Sequence, residues 1–253
     1  MTQAAELLRE AERAPFVGWD FSWLGDRLVT SPLPWDFTAI VDDALGKAQR
    51  ALDMETGGGE WLRSMKQLPT CAVATEAWTP NLHVAFERLS AFGAFVVHDE
   101  GAVDNVLQQG SAPRGRLPFC SGAFDLVTNR HGAFTATEVA RILQAEGVFL
   151  TQQADSETRQ FHELLGLAPP REQRFELDFA VSQVEQAGLC VEVAEDGEEE
   201  LRFADVGALA WYLKAIPWCI PDFTIERYRE ALLRLDGHDI VVRASRFWLR
   251  GRK

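Results

Sequence analysis

The chain is poor in the features that assign a protein quickly. Its four cysteines, Cys71, Cys120, Cys190 and Cys219, are scattered over 253 residues with no C-x-x-C or Cys/His pairing. That excludes a zinc knuckle or a disulfide framework as the organising element. His83, His98, His162 and His238 show no ligand spacing, so no metal is expected. No segment approaches the roughly 18 apolar residues of a membrane span. The opening "MTQAAELLREAERAP" carries three Glu and two Arg and lacks the apolar run of a signal peptide, so a cytoplasmic location is expected. Cations are also scarce: 25 Lys and Arg against 38 Asp and Glu leave a net charge of -13. This balance opposes nucleic acid as a partner without excluding it, because affinity for a phosphate backbone comes largely from cationic side chains that displace counterions. The basic stretch "VVRASRFWLRGRK" at the C-terminus reads as a strand with solvated charges. Nothing in the pattern chooses between a monomer and a dimer.

What is present is a core-sized supply of apolar residues, 47% of the chain, in a recognisable rhythm. "AAELLREAERA" has helical spacing and stops at Pro15. The aromatic-rich stretch after it holds Trp19, Phe21, Trp23, Trp35 and Phe37, read mainly as packing of an N-terminal cap, with a ligand-cavity wall as the second reading. From about residue 38, short apolar runs alternate with helical segments. "RALDM", "CAVATE", "AFVVHD", "AFDLVTNRH" and "VFLTQQ" are expected strands. "TAIVDDALGKA", "EWLRSMKQL", "NLHVAFERLSAFG" and "ATEVARILQAEG" are expected helices. Such alternation predicts right-handed strand-helix-strand units and a doubly wound, mostly parallel sheet, whose ligands bind at the carboxyl ends of the strands.

Towards the C-terminus, "SETRQFHELLGLAPP", "FAVSQVEQAG", "VGALAWYLKAIPW" and "TIERYREALLRLDG" are expected helices. "LCVEVAE" and "LRFAD" are extended segments, with the acidic "EDGEEE" between them as a solvated hairpin turn. "DIVVRASRFWL" is the last strand. The segment 98–119 is longer than a usual connection, and its "VDNVLQQG" reads as a turn or two of helix.

The stretch "LDMETGGGE" stands at a strand end and opens onto a helix. Glycines belong there because a tight turn needs backbone angles closed to other residues, and because a ligand must approach the main chain. About 20 residues later "AVATE" ends in Glu76, where a carboxylate can accept hydrogen bonds from both hydroxyls of a ribose.

In ordered succession over residues 40–153, these elements resemble the class I S-adenosylmethionine-dependent methyltransferases, in particular a bacterial type 11-like subgroup. "LDMETGGGE" is similar to the family's first motif, D-x-G-x-G-x-G, and "ATEAWTPNL" to the second. "VVHDE" resembles the third-strand element, "LPFCSGAFDLVTNRHGAF" the stretch around the fourth strand, and "EVARILQAEGVFLTQQ" the helix and fifth strand after it. The resemblance implies an α/β fold with a seven-stranded sheet in one methyltransferase domain over residues 1–253. An N-terminal helical cap would occupy 1–39, the cofactor-binding core 40–175, and the completion of the sheet 176–253, with a helical insertion at about 205–236.

It also implies S-adenosylmethionine as cofactor. Asp53 would serve the methionine end, and Gly57 and Gly59 would give close backbone approach. Glu76 would take the ribose hydroxyls, Ala77 and Trp78 would flank the adenine, and Asp99 would take its amino group. Asn129 would present itself to the donor and acceptor, and His131 is the expected base where an acceptor must lose a proton. Two departures stand out. Glu55 occupies a glycine position of the first motif and is expected to touch the cofactor or disturb its turn. "TNRHGAF" is not an N-P-P-Y type motif, so nothing supports methylation of a base amine, and a small-molecule acceptor is expected. The alternatives are a catalytically impaired cofactor sensor or interaction module, and an RNA methyltransferase.

Overall fold

The computed structural model describes residues 2–102, 105, 116–154, 157–168 and 175–253. The chain opens with helix α1 (Gln3–Arg13), whose first turn is capped by the Thr2 hydroxyl and whose Ala4, Leu8 and Ala11 are buried. A 3-10 stretch at Ser22–Arg27 leads into the short strand β1 (Leu28–Thr30). Helix α2 (Phe37–Leu45) starts at Asp36, whose carboxylate accepts the Ala39 N–H at 2.9 Å. Then follow β2 (Arg50–Met54), α3 (Glu60–Arg63), β3 (Cys71–Glu76), α4 (Thr79–Ser90) and β4 (Ala94–His98).

The helix expected over "EWLRSMKQL" is helical only through Arg63. The Ser64 hydroxyl donates to the Trp61 carbonyl at 2.6 Å, a local bond that competes with continuation of the helix.

The second half runs β5 (Phe124–Arg130), α5 (Ala136–Ile142), β6 (Leu143–Ala154), α6 (Glu157–Leu164), α7 (Leu177–Gln186), β7 (Cys190–Phe203), α8 (Val206–Ala215), α9 (Arg229–Arg234) and β8 (Ile240–Arg252). The segment "VDNVLQQG" lies outside the described residues except for Asn105, and so does the proline pair after α6. "TIERYREALLRLDG" is helical only over α9, because turns occupy residues 225–228.

The sheet has the order β1-β7-β8-β6-β5-β2-β3-β4. Its pairings from β6 through β4 are parallel, and those joining β1, β7, β8 and β6 are antiparallel. It therefore has eight strands where seven were expected. The extra one, β1, comes from the aromatic N-terminal stretch and pairs Leu28 with Phe203 and Thr30 with Leu201. A two-pronged bond holds it there: Arg27 donates from Nε and Nη2 to the Asp205 carboxylate at 2.9 and 2.7 Å. Asp205 also caps α8 through the Ala208 N–H.

The expected hairpin turn at "EDGEEE" is absent. Residues 190–203 form one strand, β7, which pairs with β8 from Cys190↔Arg252 to Phe203↔Ile240. Mutual repulsion should bend such a carboxylate run away from a sheet, but the facing strand supplies cations. Arg246 Nε lies 2.7 Å from Glu199, and Arg243 Nε lies 3.6 Å from Glu200. Opposite charges across an antiparallel pair favour extended pairing over a solvated turn.

Alternation along the strands divides the core. Ala51, Ala74 and Leu126 pack with α2 and α4 on one face, while Leu52, Val127 and Phe149 pack with α5 and α7 on the other. A third apolar cluster sits beside this sandwich, where α1, α8 and α9 close over the outer parts of β7 and β8. At its heart Trp211 is fully buried, stacked on Trp23 and edge-on to Phe16 and Phe21.

Candidate functional site

In this order β2 has β3 on one side and β5 on the other, so the chain reverses its direction of travel across the sheet between β2 and β5. A crevice must open at the carboxyl ends of the strands there. A cleft of about 1230 Å³ occupies that place. It is lined by the ends of β2, β3, β5 and β6 and is walled by β7, β8, α6, α8 and the N-terminal aromatics.

The glycine turn begins at Asp53, 4% exposed, whose carboxylate accepts the Thr128 hydroxyl at 2.7 Å. Burial pushes its pKa up to about 6, against the effect of that hydrogen bond. Glu55 follows with a left-handed φ of 57°, and Gly57 and Gly59 have φ of 64° and 78°. The glycines take these angles freely, whereas Glu55 takes its angle under strain. The turn is tied down from β3. The Thr56 N–H donates to the Thr75 carbonyl at 2.9 Å, and the Glu55 N–H to the Thr75 hydroxyl at 3.3 Å.

Glu76 is 4% exposed and accepts the Trp78 N–H at 2.7 Å. Burial raises its pKa, and the backbone N–H groups of Trp78, Gly57 and Ala77 around the carboxylate hold it back.

The Glu55 side chain answers where the odd residue of the glycine motif goes. It runs along the strand ends, because a Cβ on Gly132 would sit 2.6 Å from Glu55 Cβ and one on Gly101 would sit 2.4 Å from Glu55 Oε1. The loops after β5 and β4 thus make room for it by carrying glycine. Burial, then Glu76, Asp99 and Asp53, push its pKa up to about 8. Asp99 lies in the loop after β4, accepts the Gly101 N–H at 3.1 Å, and is likewise raised by burial. Three carboxyl groups, Asp53, Glu55 and Glu76, therefore share one end of the cleft at a cost in solvation, with the Asp99 charge acting on Glu55 from outside the lining, an arrangement that a cation would relieve.

The expected site residues divide into two sets. Asp53, Glu55, Gly57, Glu76, Trp78 and His131 line the cleft, with the Trp78 ring 54% exposed. Gly59, Ala77, Asp99 and Asn129 stand outside its lining. Gly59 forms the αL entry to α3 against Leu89. The Ala77 carbonyl is bound by His98 Nε2 at 3.2 Å. Asn129 is fully buried below the site: it donates to the Met54 carbonyl at 3.3 Å and accepts from Gln153 at 2.7 Å. Gln153 in turn donates to the Gly132 carbonyl at 3.1 Å, so this network sets the loop after β5.

His131 stands in that loop with a φ of 61°. The Trp35 indole N–H donates to Gln152 Oε1 at 2.8 Å, and an indole nitrogen can only donate. The Gln152 amide must therefore turn its NH₂ to His131 Nε2, 3.1 Å away, which makes Nε2 an acceptor and leaves the ring proton on Nδ1. Burial, and then Arg130 and Arg246, push the His131 pKa well below its ordinary value, so the ring is neutral at pH 7.

Several cleft residues were missed in the sequence. Arg246 sits in an apolar strand, and only the charge interrupting "VVRASRFWL" signals it. Trp61 and Glu199 also line the cleft, and no local pattern separates them from packing or surface residues. Among the described residues, no cluster of three or more His, Cys, Asp or Glu side chains could hold a metal ion, and no helix is long and apolar enough to cross a membrane.

Comparisons with known proteins bear on the fold. No protein-family model matches the sequence, and no curated protein sequence matches it. Solved structures do. A candidate methyltransferase from Bacillus halodurans superposes with a TM-score of 0.60 at 18% identity, covering 86% of this chain and 98% of that one. The YcgJ protein from Bacillus subtilis gives 0.57 at 16% identity, over 86% and 97% of the two chains. The chain has the class I methyltransferase fold. A candidate sarcosine dimethylglycine methyltransferase from Galdieria sulphuraria shares this methyltransferase fold at a TM-score of 0.51 and 12% identity, over 85% and 86% of the chains. The first two neighbours are matched over nearly their whole length.

Proposed function

We propose that the protein is a cytoplasmic S-adenosylmethionine-dependent methyltransferase acting on a small-molecule acceptor. One observation carries this reading: the acid that ends β3, Glu76, and the glycine turn that ends β2 line one cleft at the switch point of the sheet, with the Gly57 amide near enough to hold the Glu76 pKa down. The residues fit the cofactor. Gly57 and Gly59 keep the backbone bare, Glu76 is held where hydroxyl groups can reach it, the exposed Trp78 ring offers a stacking face, and the clustered carboxyl groups suit a sulfonium and an ammonium. When bound, S-adenosylmethionine supplies a methyl group already activated for displacement.

What remains for this chain is to orient and to exclude water. Asp53, anchored by Thr128, fixes charge at the base of the cleft. Trp19 and Trp218 stack with ring centres 5.5 Å apart and screen its mouth. His131, with Nε2 engaged by Gln152, acts as a neutral hydrogen-bond donor from Nδ1 rather than as the base first expected. Asn129 positions the loop that carries it.

A second reading has its own observation. The Glu55 side chain lies along the strand ends against Gly101 and Gly132, within the cradle itself, which favours a sensor or an interaction module without catalysis. Calorimetry with S-adenosylhomocysteine separates the two. Binding by the native chain, weakened about tenfold or more by Glu76→Ala, supports the enzyme; a tenfold loss corresponds to about 1.4 kcal/mol. Binding that appears only in Glu55→Gly sinks it.

A further inference from the structure

One residue of β6 holds His131 twice. The His131 N–H donates to the Gln152 carbonyl at 2.8 Å, and its Nε2 faces the Gln152 side-chain amide at 3.1 Å. These bonds sustain a left-handed φ of 61°, which is strained for a residue with a Cβ. The other ring nitrogen is left over. Among the described residues no group hydrogen-bonds Nδ1, and His131 is open to the cleft that it lines. The ring is neutral at pH 7, so the place of a single proton decides whether a ligand meets a donor or a lone pair there.

Gln152 alone does not fix that proton, because a primary amide can turn either its oxygen or its NH₂ to Nε2. Its side chain is 5% exposed, so both ends need protein partners. The deciding partner comes from before α2: the Trp35 indole N–H claims Gln152 Oε1 at 2.8 Å. Trp35 is itself seated by β7. A Cβ on Gly197 would lie 3.1 Å from Trp35 Cζ3 and 3.0 Å from Pro34 Cδ, so the glycine inside the acidic "EDGEEE" run leaves room for this ring. Three distant segments thus converge on one proton. We propose that Trp35 is a positioning residue: acting through Gln152, it holds His131 as an Nδ1–H donor toward whatever occupies this part of the cleft. The bearing on methyl transfer rests on the methyltransferase reading, whereas the tautomer does not.

Nitrogen NMR of the ligand-free chain at pH 7, with isotope-labelled histidine rings, tests it. The His131 resonances are assigned by their loss in His131→Asn. In the native chain Nδ1 should carry the proton and Nε2 should be bare. Trp35→Phe keeps a ring on Gly197 and removes only the N–H. It should shift the tautomer ratio toward Nε2–H by about tenfold, the size of one lost hydrogen bond. Gln152→Glu gives Nε2 a carboxylate that can only accept, so Nε2 should become protonated while Trp35 keeps its partner. Both variants are checked for native melting, and if Trp35→Phe does not fold, Gln152→Glu and the native spectrum decide. A protonated Nε2 in the native chain overturns the proposal. So does an unchanged tautomer in folded Trp35→Phe, or a bare Nε2 in folded Gln152→Glu. Failure of the native chain to bind S-adenosylhomocysteine in calorimetry removes the methyltransferase reading and leaves the Trp35–Gln152–His131 relay standing.

Discussion

The two ends of the cleft are made by two kinds of sheet. At one end β2, β3, β4 and β5 run parallel, so each strand stops at the same edge and delivers a loop there: the glycine turn after β2, Ala77 after β3, Gly101 after β4, Gly132 after β5. That end is acidic and built from backbone. At the other end β7 and β8 are antiparallel and pass alongside the cleft, so side chains from within strands, Glu199 and Arg246, reach it with no loop involved. That end sets the Arg246–Glu199 pair beside aromatic side chains, and α1, α8 and α9 close over it. Parallel strands concentrate function at their ends, where a short motif can encode it, while antiparallel strands spread function along their length.

The largest expected effect breaks the second end alone. Trp211→Ala removes a fully buried ring from the cluster around α8 and should cost about 3–5 kcal/mol in denaturant unfolding. If the two ends are coupled only through the sheet, residual folded protein should keep its affinity for S-adenosylhomocysteine.

Next comes the seam between them. A Cβ on Gly58 would lie 2.8 Å from Gly18 Cα, where the glycine turn meets the aromatic N-terminal segment. Gly58→Ala should therefore cost about 1–3 kcal/mol through overpacking and weaken binding of S-adenosylhomocysteine; unchanged affinity would show that the seam does not join the two ends.

A pH-dependent effect bears on the acidic end alone. The Glu55 carboxyl stays protonated up to about pH 8 in the folded chain and ionises near 4.5 when unfolded. Between those values unfolding releases a proton, so stability should fall as pH rises from about 5 to 8. In Glu55→Gln that slope should flatten in thermal melts across the window, and an unchanged slope would contradict the burial of this carboxyl.

The smallest effect is a control on α2, away from both ends. Lys47 and Asp43 are an exposed pair, with side chains 74% and 70% accessible, so Lys47→Ala should cost about 0.3–0.5 kcal/mol at low salt and leave binding unchanged.

The acidic end was largely legible in the sequence. Asp53, Gly57, Glu76 and Trp78 are separated by one strand-helix-strand unit, and a right-handed crossover leaves little freedom in where it returns. The antiparallel end was not. Arg246 meets the cleft because β8 lies antiparallel to β6, a pairing between segments almost a hundred residues apart. The "EDGEEE" run read as a turn because its charge was considered without the arginines of β8 that face it. Asn129 matched a motif position, yet its neighbours on β6, Thr151 and Gln153, hold it beneath the cleft.

By itself the sequence determined the parallel core, the glycine turn at its switch point and the helices that cover it, since period, capping and turn chemistry are local and act within about thirty residues. The tertiary structure decided the eighth strand, the straight course of β7, the tautomer of His131, the path of the Glu55 side chain and the pairing of Arg246 with Glu199. Each of these depends on a partner brought from a distant part of the chain, and electrostatic and hydrogen-bond energies are set by the partner and its burial rather than by the residue alone.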